Sequence, residues 1–98
     1  MAKLMSPVHP GEVLKEEFMR PLGLSANGLA RAVRVPPNRI SAIVNGGRGL
    51  TADTALRLAK VFGTTPEFWL NLQQQYELDC ARDHATDLTR IEPLRARA

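Results

Sequence analysis

The chain has 98 residues, of which 44% are apolar, and a net charge of +3; this predicts one small domain and identifies no partner by charge alone. No apolar run approaches the ~20 residues that span a bilayer, and residues 1–8 lack the apolar core of a signal peptide. Because a single cysteine, Cys80, excludes an internal disulfide, the composition predicts a reduced cytoplasmic protein without membrane contact.

The first two helices are predicted from their end signals. Pro10 favours a helix start, so we expect a first helix over about 10–19, preceded or capped by His9 and ended by the proline and glycine at positions 21 and 23. Ser25 is a good N-cap for a second helix that runs through about Val33. The apolar stripe of this second helix consists of Ala26, Leu29, Ala30 and Val33.

Three further helices follow. Two consecutive prolines break the chain because proline lacks the amide hydrogen, and they predict a third helix over 37–45 that the following glycines end. Thr51 is predicted to cap a fourth helix that Gly63 ends, and Thr65 is predicted to cap a fifth helix. Five short helices with short connections predict an all-α fold.

The fifth helix has two apolar surfaces. One arc is expected to pack on the fourth helix, and its members are Phe68, Trp69, Leu72, Tyr76 and Cys80. Leu70 and Leu78 fall off this arc and are expected to be exposed, which predicts a second apolar surface. We interpret that surface as a homodimer seam formed together with the tail. The interface candidates are Leu70, Leu78, Leu88 and Ile91.

A short C-terminal tail over 84–98 follows the predicted domain over 1–83. Side chains alternate in character over 88–92, which is typical of a strand. Because a lone strand is not stable in water, such a strand would pair with the same strand of a second subunit. A frayed terminus is the alternative, and the sequence leaves both open.

The charge is divided unequally along the chain. Residues 25–50 contain no acidic residue and have a net charge of +4, from Arg31, Arg34, Arg39 and Arg48. Residues 67–83 have a net charge of −3, from Glu67, Glu77, Asp79 and Asp83 against Arg82. A basic segment is either a solvated face or a surface for an acidic partner, and the helix pattern has to decide between the two.

The second and third helices have the arrangement of a DNA-binding helix-turn-helix, over about 25–45. Ala30 is the small residue that this motif needs where its helices cross, and Val35 lies in the turn. Ile40 and Ile43 follow Ala30 by ten and thirteen residues, the spacing that locks the second helix of the motif onto the first. The basic segment is therefore predicted to face DNA.

The third helix has one apolar arc and one polar arc. Ile40, Ile43 and Val44 lie within about 100° of each other on a helical wheel. The opposite arc is small and polar, with a flanking arginine, and such residues suit a major groove because asparagine pairs with adenine, arginine with guanine and a methyl group with thymine. The predicted base-reading residues are Asn38, Arg39, Ser41 and Ala42.

Phosphate contacts are expected around this polar arc. The start of the second helix offers backbone amides and the positive end of the helix dipole. The glycines after the third helix end that helix and also let bare backbone approach the groove. The predicted phosphate-binding residues are Ser25, Asn27, Arg34, Asn45, Gly46 and Arg48.

Several motifs resemble one family. They are HPGE at 9–12, PLGLS at 21–25, TADTALRLA at 51–59 and PEFWLNLQ at 66–73. With them, residues 9–82 resemble the HigA antitoxins, a branch of the Xre/Cro-like helix-turn-helix proteins with a five-helix lambda-repressor-like domain. The resemblance implies a cytoplasmic bacterial homodimer that neutralises a RelE-like, mRNA-cleaving HigB toxin. It also implies that the homodimer represses its own operon by binding palindromic, double-stranded operator DNA.

Two positions depart from the pattern of the family. Arg34 occupies a turn position that is usually glycine, so a left-handed conformation there would cost on the order of 1 kcal/mol; the alternative is a slightly longer second helix. Gly47 stands where the family more often has lysine or arginine, which implies one phosphate contact fewer.

The sequence is compatible with three functions. The first is the antitoxin and autorepressor, whose basic toxin would meet carboxylates on the first helix or at the end of the fifth: Glu12, Glu16, Glu17, Glu77, Asp79 and Asp83. The second is a stand-alone Xre-type repressor without a toxin, and the third is an interaction module that has lost DNA binding. No enzyme is expected, because the sequence has no paired nucleophile and base, no phosphate-binding glycine loop and no metal-ligand signature. No cofactor is expected either, and Cys80 and His84 are too few ligands for a zinc site.

Overall fold

The structure is a computed structural model that describes residues 6–94. Residues 1–5, which belong to the segment considered for a signal peptide, and residues 95–98 of the predicted tail lie outside the described residues. The first helix, α1, is continuous over three parts, Pro10–Val13, Leu14–Met19 and Arg20–Leu22. The later helices are α2 (Ala26–Val33), α3 (Pro37–Val44), α4 (Ala52–Phe62) and α5 (Pro66–His84). Residues 6–94 contain no strand, and the all-α, five-helix fold is confirmed.

The first helix is longer than the predicted 10–19. Its middle part is π-helical, and the amide of Arg20 donates to the carbonyl of Lys15, five residues earlier. A proline ring collides with the preceding turn of a regular α-helix, whereas a widened turn gives it room. The helix therefore continues through Pro21 and ends at Gly23, which has a φ of 65°.

Hydroxyl side chains begin three of the helices, as predicted. Ser25 Oγ accepts the amide of Gly28 at 3.0 Å, and Thr65 Oγ1 accepts the amide of Phe68 at 3.1 Å. Thr51 Oγ1 accepts the third such amide, at the start of α4. Each of these bonds satisfies a donor that a helix start otherwise leaves unpaired, and each cap typically contributes about 1 kcal/mol.

Trp69 is the centre of the core. Its side chain is fully buried, and its indole Nε1 donates to Thr64 Oγ1 at 2.7 Å. Phe18 of α1 lies against the indole with a centroid distance of 4.8 Å. The other fully buried large side chains come from four helices, namely Pro10, Leu14, Leu29, Ile40, Ile43, Leu58 and Thr54. One core therefore ties the helix pair α2–α3 to the rest of the domain.

The expected burial pattern of α5 needs two corrections. Leu70, predicted to be exposed on the dimer seam, packs against the core. The reason is that α5 contacts both α1 and α4, so the covered arc is wider than the stripe on α4 alone. Phe68, expected in the core, is 38% exposed and lies edge-on to Trp69.

The tail does not form a strand, which is one of the two conformations that the sequence leaves open. Leu88–Arg90 form a 3₁₀ turn instead, in which Arg90 N–H donates to Asp87 O and Ile91 N–H donates to Leu88 O, both at 3.0 Å. A strand needs a neighbouring strand for its hydrogen bonds, and residues 6–94 offer none, so the backbone closes local bonds.

The molecule is elongated. Its radius of gyration is 17.0 Å, whereas a compact domain of 100 residues has about 13 Å. Leu78 in the second half of α5 and Leu88 and Ile91 in the tail expose 42%, 53% and 65% of their surface. Between residues 6 and 94, no helix is long and apolar enough to cross a membrane.

Candidate nucleic-acid interface

The turn between α2 and α3 has a left-handed residue at its start. Arg34 has φ 65° and ψ 49°, and it is the one non-glycine residue with a positive φ in the described part of the chain. The amide of Val35 donates to the carbonyl of Ala30 at 3.0 Å, which closes the end of α2. Of the two expectations for Arg34, the strained left-handed turn is the one that the structure adopts, and the longer α2 is not formed.

Helix α3 is locked onto α2 by the residues that the motif requires. Ala30, Ile40 and Ile43 are fully buried, and Val35 packs against the edge of the core. The start of α1 supports α3 from behind, because Gly11 lies directly against the carbonyl of Ile43. Any β-carbon at position 11 would overlap that carbonyl. The orientation of α3 is therefore determined by contacts on two sides.

The predicted base-reading residues fall into two groups. Asn38, Ser41 and Ala42 share one stripe of α3 with Asn45, since they are three or four residues apart; the two asparagines are exposed and the other two are half-buried. Arg39 lies beside this stripe, toward α4. Its Nη1 donates to Asp53 Oδ2 at 2.8 Å, and its side chain is 25% exposed.

Asp53 of α4 is held between two arginines. Arg57 Nε donates to the Asp53 oxygen that also accepts Arg39, at 3.0 Å. The hydrogen bonds from Arg57 and then from Arg39 keep the pKa of the Asp53 carboxyl below its ordinary value. Arg57 Nη1 also donates to the carbonyls of Val33 and Arg34, at 2.9 and 3.4 Å. We call Arg39, Asp53 and Arg57 the Asp53 cluster.

The sequence alone does not predict that Asp53 binds both Arg57 and Arg39. An acid followed by a base four residues later was a visible sign of an ion pair within α4. Nothing in the sequence pairs Arg39 with a carboxylate fourteen residues away, because that contact depends on how α3 and α4 are packed.

The predicted phosphate-binding residues lie at the start of α2, in the turn after α2 and directly after α3. Ser25 and Asn27 are exposed at the start of α2, although Ser25 Oγ is already engaged as the helix cap. At the end of α3, the amide of Gly46 donates to the carbonyl of Ile43 at 3.0 Å, so that amide is not available for a phosphate. The side chains that the structure leaves exposed there are those of Asn45 and Arg48, and Arg34 is exposed in the turn.

His9 connects three parts of the molecule. Its Nδ1 accepts the amide of Gly11 at 2.9 Å, which confirms the predicted capping role. Its ring lies edge-on to Tyr76 of α5, with centroids 4.8 Å apart. Burial lowers the pKa of His9, while a hydrogen bond with the backbone of Arg48 opposes this shift. His9 thus joins the start of α1 to α5 and to the loop after α3.

The described residues contain no group of three or more histidine, cysteine, aspartate or glutamate side chains that could hold a metal ion. His84 Nδ1 lies 2.8 Å from the carbonyl of Cys80, a contact within α5.

Residues 14–69 match the protein family described as Helix-turn-helix. Together with the α2–turn–α3 geometry, this match defines the class: the chain is a helix-turn-helix protein. Proteins named as HigA antitoxins are similar to this chain over nearly its whole length, and this similarity identifies the branch of the helix-turn-helix proteins. The chain belongs to the HigA family of helix-turn-helix antitoxins.

Three relatives carry this assignment. The chain is 43% identical to "Antitoxin HigA-1" of Vibrio cholerae, over 90% of this chain and 84% of the relative. A structure of an addiction module antidote protein of the HigA family from Coxiella burnetii has a TM-score of 0.83 and 51% identity, and the match covers 92% of this chain and all of that chain. The structure of the antitoxin GraA in complex with its operator has a TM-score of 0.86 and 42% identity, covering 98% of this chain and 99% of that chain.

Proposed function

We propose that this chain is the antitoxin of a type II toxin–antitoxin system that binds its own operator DNA as a repressor and neutralises a RelE/HigB-like, mRNA-cleaving toxin. It would do so in the cytoplasm, where operon DNA and messenger RNA are both present. The observation that carries the DNA half is the exposed stripe of α3, held by Ala30, Ile40 and Ile43 and set in a segment without an acidic residue. The operator complex of the similar protein GraA supports it.

The proposed contacts follow from the geometry of α3. The helix enters the major groove, and the side chains of Asn38, Arg39, Ser41 and Ala42 meet base edges. The start of α2 and the side chains of Asn45 and Arg48 meet the phosphates on the two sides of the groove. Because the amide of Gly46 is engaged inside the protein, side chains rather than backbone supply the contact after α3.

A homodimer is part of the proposal. Leu78, Leu88 and Ile91 are exposed, and burying them against a second copy would remove apolar surface from water. A twofold dimer would place two α3 helices about 34 Å apart, one turn of duplex. Analytical ultracentrifugation that finds only monomers at all concentrations would contradict this seam.

The toxin-binding half depends on acidic surfaces. An RNA-cleaving toxin is expected to be basic, so the carboxylates of α1 and of the end of α5 suit it electrostatically. Several of these carboxylates already have partners within their own helix: Glu16 with Arg20 at 3.3 Å, Asp79 with Arg82 at 3.7 Å and Glu77 with Gln73 at 2.9 Å. All of these pairs are at least partly exposed, so a basic partner can exchange with them at little cost.

Two arginine substitutions test the DNA half. Arg39→Ala should lower operator affinity and alter base preference at one position, whereas Arg48→Ala should weaken binding to all sequences and reduce the salt slope by about one unit. A gel-shift assay with the DNA upstream of the gene measures both effects. Arg82→Ala, which removes an exposed arginine of α5, is the matched control. If Arg39→Ala and Arg48→Ala both leave binding unchanged, the assigned face is wrong.

Co-purification with the product of the adjacent gene tests the toxin half. A stable complex with a small basic protein supports the antitoxin. Operator binding without such a partner would favour the stand-alone Xre-type repressor. A toxin complex without DNA binding would favour the interaction module.

A further inference from the structure

We propose that Asp53 is a positioning residue for DNA recognition: from α4, outside the helix-turn-helix motif, it holds the guanidinium of Arg39 in the orientation in which it meets a base. This inference rests on the proposed operator binding. It extends the recognition surface to a residue that itself touches no DNA. The observation behind it is the pair of hydrogen bonds, 2.8 Å from Arg39 and 3.0 Å from Arg57, on one oxygen of Asp53.

The position of Asp53 is determined by α4 itself. Thr51 caps the helix and leaves Asp53 in its first turn, where the helix dipole favours a negative charge. Arg57 follows one turn later on the same face and binds the carboxylate. Arg57 also reaches the carbonyls of Val33 and Arg34 at the end of α2. Although the Asp53 side chain is 55% exposed, Arg57 is itself bonded to these carbonyls, and this holds the carboxylate beside the turn of the motif more firmly than a single exposed ion pair would.

This carboxylate restricts Arg39. An arginine on an open helix surface samples many rotamers, and ordering such a side chain on binding weakens affinity by about 3- to 10-fold. In the structure, Nη1 of Arg39 is bound to Asp53 and the side chain is 25% exposed. A guanidinium has five N–H donors, so most remain for a base edge or a phosphate. The restriction is thus already present in the free protein.

Asp53 does not cancel the attraction for DNA. The Asp53 cluster contains two guanidiniums and one carboxylate, so it keeps a net positive charge. The alternative is that Asp53 blocks Arg39, in which case DNA would have to break the bond between the carboxylate and the guanidinium before Arg39 could bind a base. The two roles predict opposite changes when the charge of Asp53 is removed, and this makes the experiment decisive.

The test compares Asp53→Asn with the intact chain. Binding to the upstream operator DNA, to its single-base variants and to unrelated DNA is measured by fluorescence anisotropy. We expect Asp53→Asn to weaken operator binding by about 3- to 10-fold and to reduce discrimination at the base pair that Arg39→Ala identifies. Unrelated DNA should bind as tightly as before or more tightly, because the cluster loses its negative charge. The double variant that combines Asp53→Asn with Arg39→Ala should bind operator DNA no more weakly than Arg39→Ala alone, because Asp53 acts through Arg39.

Two further variants serve as controls. Glu67→Gln removes an exposed carboxylate from the first turn of α5, as Asp53→Asn does in α4, and it should leave DNA binding unchanged. Asp53→Glu retains the charge and should restore part of the discrimination. Circular dichroism verifies that each variant folds. A purely structural role of Asp53 would lower the affinity for all sequences together and leave the base preference unchanged.

Four results would overturn the inference. Tighter operator binding by Asp53→Asn would mean that Asp53 blocks Arg39. Unchanged discrimination, or independent effects of Asp53→Asn and Arg39→Ala, would mean that the contact does not orient the guanidinium. If the intact chain itself fails to prefer operator DNA, the proposed function fails and the inference fails with it. That outcome is visible before any variant is compared.

Discussion

Replacing Arg34 by glycine should stabilise the domain. Arg34 has φ 65°, a conformation that costs an L-residue roughly 1–2 kcal/mol and glycine very little. Glycine also makes the unfolded chain more flexible, which offsets about 0.4–1 kcal/mol of that gain. The side chain of Arg34 is exposed, and the contact that Arg57 makes with residue 34 uses the backbone carbonyl, which glycine retains. The expected net gain is about 0.5–1 kcal/mol.

Urea unfolding, followed by circular dichroism, measures this gain as a higher midpoint at an unchanged slope. In thermal unfolding, 0.5–1 kcal/mol corresponds to about 2–8 °C for a domain of this size. Arg34→Ala is the matched control: it removes the same charge but keeps the β-carbon in the left-handed region, so it should not stabilise the domain. If Arg34→Gly leaves the stability unchanged or lowers it, the backbone at position 34 is not strained as argued.

Two further predictions concern the contacts of α1. Gly11→Ala should destabilise the domain by about 2 kcal/mol or more in urea unfolding, because its β-carbon would overlap the carbonyl of Ile43. Gly47→Ala is the control, since a β-carbon there makes only an ordinary van der Waals contact. Equal losses of stability in the two variants would contradict this explanation. Because burial lowers the pKa of His9, the unfolded chain binds that proton more tightly, so the free energy of unfolding should fall as the pH drops through about 6.5. His9→Asn keeps a capping oxygen and should flatten this dependence. Equal pH profiles for the intact chain and His9→Asn would contradict the assignment.

Helix ends and the motif were predictable because their signals are local. A hydroxyl at Ser25, Thr51 or Thr65 accepts a hydrogen bond from an amide three residues later in the same chain. The start of each helix can therefore be predicted from the capping residue itself. The apolar stripes of α2 and α3 repeat at the helix period, and burial of Ala30, Ile40 and Ile43 follows from that repeat. The helix-turn-helix and its exposed polar stripe were therefore available from the sequence.

Contacts between distant segments were decided only in three dimensions. Leu70 packs against the core because α5 contacts both α1 and α4. A helical wheel of α5 does not show that α1 also lies against this helix. Arg34 takes the left-handed conformation because the packing of α2 against α3 requires a sharp turn, and the local preference of arginine is weaker than that requirement. Arg39 is bound by Asp53 because α4 brings a carboxylate to α3. Neighbours in sequence determine where helices begin and end, whereas the angles at which those helices pack determine which side chains meet, and no single stretch of the chain contains that information.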